Sequence, residues 1–210
     1  MDPRPFRDYA ELPSLNEAVQ TLLTPAHRYG NLEYCGLLIE PAERPWCCTW
    51  HRDWRDHVSR EVFDRAYRPD WERQVQDSHV WFAQINCALY RDSSTWFVPD
   101  SAYRMDATER ENELIGHPGE DLQQLEGESQ IDAERRLLRY CRAMPGAVQL
   151  HLEPGDFCIY RSSALHLGNY STDAKRVTIH DGAMNDEVRA WWKNAHRREE
   201  RRAQAKAGAT

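Results

Sequence analysis

The stretch that decides how this chain folds is EPGDFCIYRSSALHLGNYSTDAKRVTIHDGA, residues 153–183. It opens on a turn, Glu153–Pro154–Gly155–Asp156, which leads into a strand at Phe157–Tyr160. A loop carrying His166 follows, then a tight turn over GNYSTDAKR, and Arg176 opens a further strand at Val177–His180. Working outward, more short runs have strand character: Tyr34–Ile39, Cys47–His51, the long His79–Tyr90, Thr95–Val98 and Val148–Leu152. Pro41, Pro45, the Arg91–Ser94 stretch and Pro99–Asp100–Ser101 punctuate them. Short strands with few helices between them predict an all-β core with flanking helices, a sandwich or barrel and not alternating β-α units.

Helical spacing is confined to a few places. Leu12, Leu15, Val19, Leu22 and Leu23 predict a helix bounded by Pro13 and Pro25. Residues 104–147 are charged and poor in β-branched residues, and they end in a helical pattern over Asp132–Met144. This segment reads as an insertion or lid between strands. From Asp186 an amphipathic start (Val188, Trp191, Trp192) runs into the basic HRREERRAQAKAGAT, a solvated helix or tail. The expected organisation is one domain over residues 1–185 and a basic C-terminal segment over 186–210.

Composition agrees with a folded domain of 210 residues. Aliphatic residues are sparse, but 8 Trp and 9 Tyr supply large buried areas in their place. The formal net charge of −7 is spread over both signs and gives no reason to expect nucleic acid. No apolar run approaches the roughly 18 residues needed to span a bilayer, and Met1–Asp2–Pro3–Arg4 does not start a signal peptide. A soluble cytoplasmic protein that does not engage membranes is the expectation. The 6 cysteines form no C-x-x-C pair and read as reduced, buried thiols.

The stretch TWHRDWRD, residues 49–56, supplies the other half of a site. In a strand, residues i and i+2 point the same way, so His51 and Asp53 present an imidazole and a carboxylate to one cavity. A facial triad of two histidines and one carboxylate needs two of its ligands placed in that way. The spacing alone is weak among 9 His and 34 acidic residues. His151-x-Glu153 has it too, and there the pair fits a strand residue followed by a turn residue. His166 is the candidate third ligand. Arg176 suits an anionic cosubstrate because its planar fork pairs bidentately with a carboxylate, with Lys175 as a minor rival.

Taken in order, WHRDW, INCALYRDSSTWFVPDS and EPGDFCIYRSSALHLGNYSTDAKR resemble the phytanoyl-CoA dioxygenase (PhyH-like) family of Fe(II)/2-oxoglutarate-dependent oxygenases. The resemblance runs from about Tyr34 to Ala183. It implies a double-stranded β-helix, or jelly roll, and iron bound by His51, Asp53 and His166. It further implies that Arg176 holds the distal carboxylate of 2-oxoglutarate and that Asn86, on the long central strand, contacts the same cosubstrate. The implied reaction uses O2, decarboxylates 2-oxoglutarate to succinate and hydroxylates a small molecule. Because position 53 is Asp and not a small residue, halogenation is disfavoured.

The chain departs from the family where a V-P-G-S-H-like turn is usual, reading Val98–Pro99–Asp100–Ser101–Ala102–Tyr103. That difference concerns substrate contacts. Two other readings stay open at this point. One is a cupin-like metalloenzyme that does not use 2-oxoglutarate, in which Arg176 points away from the metal; the other is a non-catalytic binding relative. Trp50, Trp54, Trp81 and Trp96 read as core or pocket wall, and the histidines at 27, 57, 79, 117, 180 and 196 as surface or structural residues. Substrate identity and oligomeric state are not written in the sequence.

Overall fold

A computed structural model describes residues 2–24, 26–29, 36–53, 55–76, 83–117, 119–191 and 194. Among the described residues ten strands form two five-stranded sheets, and each of these strands runs antiparallel to the neighbours it pairs with. The first sheet contains β1 (Arg28–Tyr29), β2 (Gly36–Ile39), β4 (Ala83–Ala88), β8 (Phe157–Arg161) and β10 (Val177–Met184). The second contains β3 (Trp46–Cys47), β5 (Thr95–Phe97), β6 (Leu122–Gln123), β7 (Val148–Gln149) and β9 (His166–Tyr170). The first runs in the order β1-β10-β4-β8, with β2 also against β10; the second runs β6-β3-β9-β5-β7.

Side-chain alternation decides what each sheet covers. In β4, AQINCA, Ile85 is fully buried on the outer face beneath two helices, α1 (Arg4–Ala10) and α2 (Pro13–Leu22). Leu15 and Val19 lie one turn apart on α2, and they pack with Ala10, Ile85 and Ala183. Gln84 and Asn86 have the opposite parity and line a cavity between the sheets. Proline opens α2, where its missing N–H costs nothing.

The second sheet is covered by the longest helix. Of the remaining helices, α3 spans Arg60–Ala66, α4 Arg68–Gln76, α5 Glu109–Asn112 and α6 Gln130–Ala143. The Ser129 hydroxyl caps α6 by accepting from the Asp132 N–H at 3.2 Å. Leu137 and Cys141, one turn apart, are buried with Cys47, Trp50, Leu165 and Leu167. Burying Leu137 contributes roughly 1.5–3 kcal/mol. The 104–147 segment therefore supplies α5, the edge strand β6 and the core helix α6, and it lines neither of the two cavities described below.

Three features differ from the sequence expectation. His166 begins a strand and is not in a loop, and the turn before β10 is confined to the residues after Tyr170. Gly168 reads as a turn residue but serves the strand: a Cβ there would collide with the Tyr170 hydroxyl and ring, so the glycine makes room for that side chain. Helices α3 and α4 were not expected. They bury Phe63, Tyr67 and Trp71, with Phe63 meeting Trp71 edge-on at 5.6 Å.

Trp50 and Trp96 lie in the core, while Trp54, Trp81, residues 79–82 of the long strand and most of the basic tail fall outside the described residues. Helical residues 186–191 bury Val188. Among the described residues no disulfide forms; the Cys47 and Cys141 sulfurs lie 3.7 Å apart as thiols. No helix among them is long and apolar enough to cross a membrane.

The VPDSAY turn carries a local cost. Asp100 has φ +62°, and it is the non-glycine residue with positive φ among those described. The sequence thus keeps a backbone shape that glycine adopts freely while holding an L side chain there. Ser101 secures the turn by donating to the Val98 carbonyl (2.6 Å) and accepting from the Leu165 N–H (2.8 Å). Asp100→Gly is expected to raise stability by up to about 1 kcal/mol. The check is a higher urea midpoint with an unchanged m value.

Candidate metal centre

Two histidines far apart in the chain are brought together by one backbone pairing. His51 and His166 face each other across an isolated antiparallel bridge: the His51 N–H donates to the His166 carbonyl (3.2 Å) and the His166 N–H to the His51 carbonyl (3.0 Å). Directly paired residues project to the same side of a sheet, so the rings stand 4.5 Å apart, centroid to centroid. Nδ1 of His51 is 2.7 Å from the Thr49 carbonyl, and Nδ1 of His166 is 2.8 Å from the Ala164 carbonyl. A carbonyl only accepts, so both Nδ1 atoms carry the proton. The hydrogen-bond pattern thereby assigns the tautomer, with the Nε2 lone pairs free to bind a cation.

Asp53 completes the set. Its N–H donates to the Ser162 carbonyl at 2.9 Å, and its Oδ1 lies 3.8 Å from His51 Nε2. One ligand atom from each of His51, Asp53 and His166 falls within 4.8 Å of the other two. Two imidazoles and one carboxylate grouped in this way form a donor set suited to a divalent first-row metal. The donors also have support behind them. Gln84 Nε2 donates to Asp53 Oδ2 at 2.6 Å, and His57 Nε2 lies 3.2 Å from Oδ1.

The electrostatics favour the ligating protonation states. Burial, then the neighbouring His166, pushes His51 down to about 4, which keeps its imidazole neutral. Burial alone would raise Asp53, but the His57 hydrogen bond and the His166 and His51 rings together hold it below the usual carboxylate range.

The remaining candidates line the same cavity, about 160 Å³, between the two sheets. Arg176 is buried, and its Nε donates to Asp92 Oδ2 at 2.9 Å with both side chains almost fully enclosed. Thr178 donates to the same oxygen (2.6 Å), and the Ser94 N–H donates to Oδ1 (2.8 Å). Burial works against the ionised Asp92, and Arg176 and Thr178 outweigh it. The guanidinium lies over the Tyr170 ring at 4.8 Å, and its Nη1 has no hydrogen-bond partner among the described residues. Lys175, by contrast, is exposed and lies over the Tyr90 ring. Asn86 is 2% exposed and donates to Thr95 Oγ1 at 3.2 Å. Its Oδ1 is 2.6 Å from Nδ1 of His180, so that nitrogen donates. His151 and Glu153 are exposed, away from this cavity.

Sequence reasoning missed Gln84, His57, Asp92, Tyr160 and His180. Strand parity could have found three of them: Gln84 shares a face with Asn86, His180 shares one with Thr178, and Tyr160 alternates with the outward Ile159. Asp92 and His57 lie in irregular segments where no periodicity marks them.

No family model and no curated protein matches this sequence. Among solved structures, the non-haem α-ketoglutarate-dependent epimerase SnoN from nogalamycin biosynthesis matches at TM-score 0.51 and 16% identity, over 87% of this chain and 58% of that one. EvdMO1 matches at TM-score 0.50 and 15% identity, over 85% of this chain and 32% of that one. The chain thus spans about a third of one relative and under two thirds of the other. At such identities the likeness is one of fold, which this chain shares with both.

The two lowered groups fix a pH dependence. The unfolded chain protonates His51 near its ordinary 6.5 and the folded chain only near 4, so between those values the unfolded state binds more protons. Stability therefore falls as pH drops through that window, by on the order of 3 kcal/mol from this group. Asp53 acts in the same direction, its contribution being lost as pH falls through its depressed folded pKa. Urea midpoints of the metal-free protein should decline from pH 6.5 to 4.5, and His51→Ala should make the decline clearly shallower. Equal slopes for the two proteins would rule out His51 as a buried neutral imidazole.

Proposed function

We propose that this chain forms the active site of a non-haem Fe(II)/2-oxoglutarate-dependent oxygenase of the PhyH-like type, on a double-stranded β-helix, and that it hydroxylates a small molecule. One observation carries the reading: a single cavity has a His51–Asp53–His166 donor set at one place and a buried guanidinium with an unpaired N–H at another. A metal and an elongated acid with a second carboxylate fit those two features together. The shared fold with SnoN, whose name describes an α-ketoglutarate-dependent enzyme, supports it.

Iron with 2-oxoglutarate and O2 supplies oxidative decarboxylation to succinate coupled to hydroxyl transfer. The residues of the chain have distinct tasks. His51 and His166 would bind the metal through Nε2, each ring fixed by a carbonyl at Nδ1. Asp53 would bind through Oδ1 while Gln84 holds Oδ2. Asp92 occupies the Nε edge of Arg176, which leaves the Nη side to grip the distal carboxylate of the keto acid. Asn86, fixed between Thr95 and His180, lines the space between these places. The position of Arg176 on the metal cavity favours this reading over a metalloenzyme that dispenses with 2-oxoglutarate.

The test is an anaerobic titration of metal-free protein with Fe(II) and then 2-oxoglutarate, following the visible charge-transfer band of the chelated keto acid. The band should be absent in His51→Ala. Arg176→Ala should need roughly ten- to hundredfold more 2-oxoglutarate, the loss expected for a charge-assisted hydrogen bond. Iron bound without a band would favour a cupin-like enzyme.

A further inference from the structure

Gln84 lies opposite Tyr160 across the β4–β8 pair, with its side chain on the cavity face. Its amide stands 2.6 Å from Asp53 Oδ2. An ionised carboxylate only accepts, so the group facing it is the amide N–H and the orientation of the amide is fixed. The carbonyl oxygen Oε1 is consequently the group left over. It is buried, and no donor among the described residues reaches it. A buried acceptor without a donor is costly, and a bound molecule with an N–H or O–H removes that cost where a hydrocarbon cannot.

The adjoining space has a different character. A second cavity, about 320 Å³, runs beside the metal cavity and shares Tyr160 with it. Leu22, Phe97, Val98 and Ile159 give it apolar walls. Asp100 and Arg161 also border it, one of each sign, so the cavity has no net charge to select an ion. Gln84 lines the metal cavity opposite Tyr160, the residue through which that cavity adjoins the second one.

Resting on the oxygenase reading above, we infer that Gln84 determines substrate specificity. The substrate class is a neutral, largely apolar small molecule carrying a hydroxyl or amide N–H beside the carbon that reacts, with its apolar part in the second cavity.

Benzyl alcohol and toluene, matched in shape, test this in the anaerobic Fe(II)–2-oxoglutarate complex, through the concentration at which each perturbs the charge-transfer band. An apolar cavity without an acceptor prefers toluene by roughly tenfold. In the natural protein benzyl alcohol should act at the same or lower concentration than toluene, and Gln84→Leu should reverse the order by roughly tenfold or more. If Gln84→Leu forms no band, the order in the natural protein decides alone. Toluene acting at lower concentration there, or benzyl alcohol causing no change up to its solubility limit, overturns the inference. Failure of the band to form in the natural protein removes the oxygenase reading, and this one with it.

Discussion

The whole centre depends on one backbone pairing, the antiparallel bridge between His51 and His166. It joins residues 115 positions apart in sequence through two reciprocal hydrogen bonds, and it places both imidazoles on the inner side. The same parity sends Leu165 and Leu167 outward beneath α6, where Leu137 and Cys141 receive them. Core packing and ligand placement are thus two faces of one register. A slip of one residue in β9 would bury His166 among Trp50, Leu137 and Cys141 and turn the leucines into the cavity. The cost of that exchange holds both imidazoles in place.

What the sequence revealed followed from how local each signal was. His51-x-Asp53 was legible because two residues of a strand end share a direction. Sequence marks His166 as a candidate but predicts a loop around it, since Gly168–Asn169 has the chemistry of a turn. The glycine answers instead to the Tyr170 ring that folds back over it, a side-chain demand that composition does not disclose. Phe63, Tyr67 and Trp71 recur every four residues, a helical period that was present in the sequence. Their dense charged surroundings and Pro69 disguised it, although a proline in the first turn is compatible with α4. Arg176 and Lys175 were rivals in sequence, and strand parity separates them: Arg176 shares its side with Thr178 and His180, which face inward.

The supporting layer was not legible because its partners are remote. Asp92 meets Arg176 from 84 residues away, and Gln84 meets Asp53 from 31. Nothing in either neighbourhood names the other. Each pairing follows from burial: an arginine enclosed between two sheets is tolerable only beside a carboxylate, and a ligating carboxylate must have its second oxygen satisfied. Such partners can be anticipated as a need, while their identity has to await the fold.

These supports also give the cavity a direction. Arg176 stands just before β10, and Gly182, the β10 residue opposite Gln84, lies towards the other end of that strand, so the two features sit at different places along one cavity. Near Arg176 the unspent group is a donor, since Asp92 takes one edge of the guanidinium and leaves Nη1 open. Near Gln84 the unspent group is an acceptor, since Asp53 takes the amide nitrogen and leaves the carbonyl. In both places an aspartate consumes half of a two-sided group, and the half that remains has fixed polarity. An anion is favoured at the first place and a neutral donor at the second, with the His51, Asp53 and His166 side chains beside the latter. Two different molecules can then be sorted within one cavity by hydrogen-bond polarity alone.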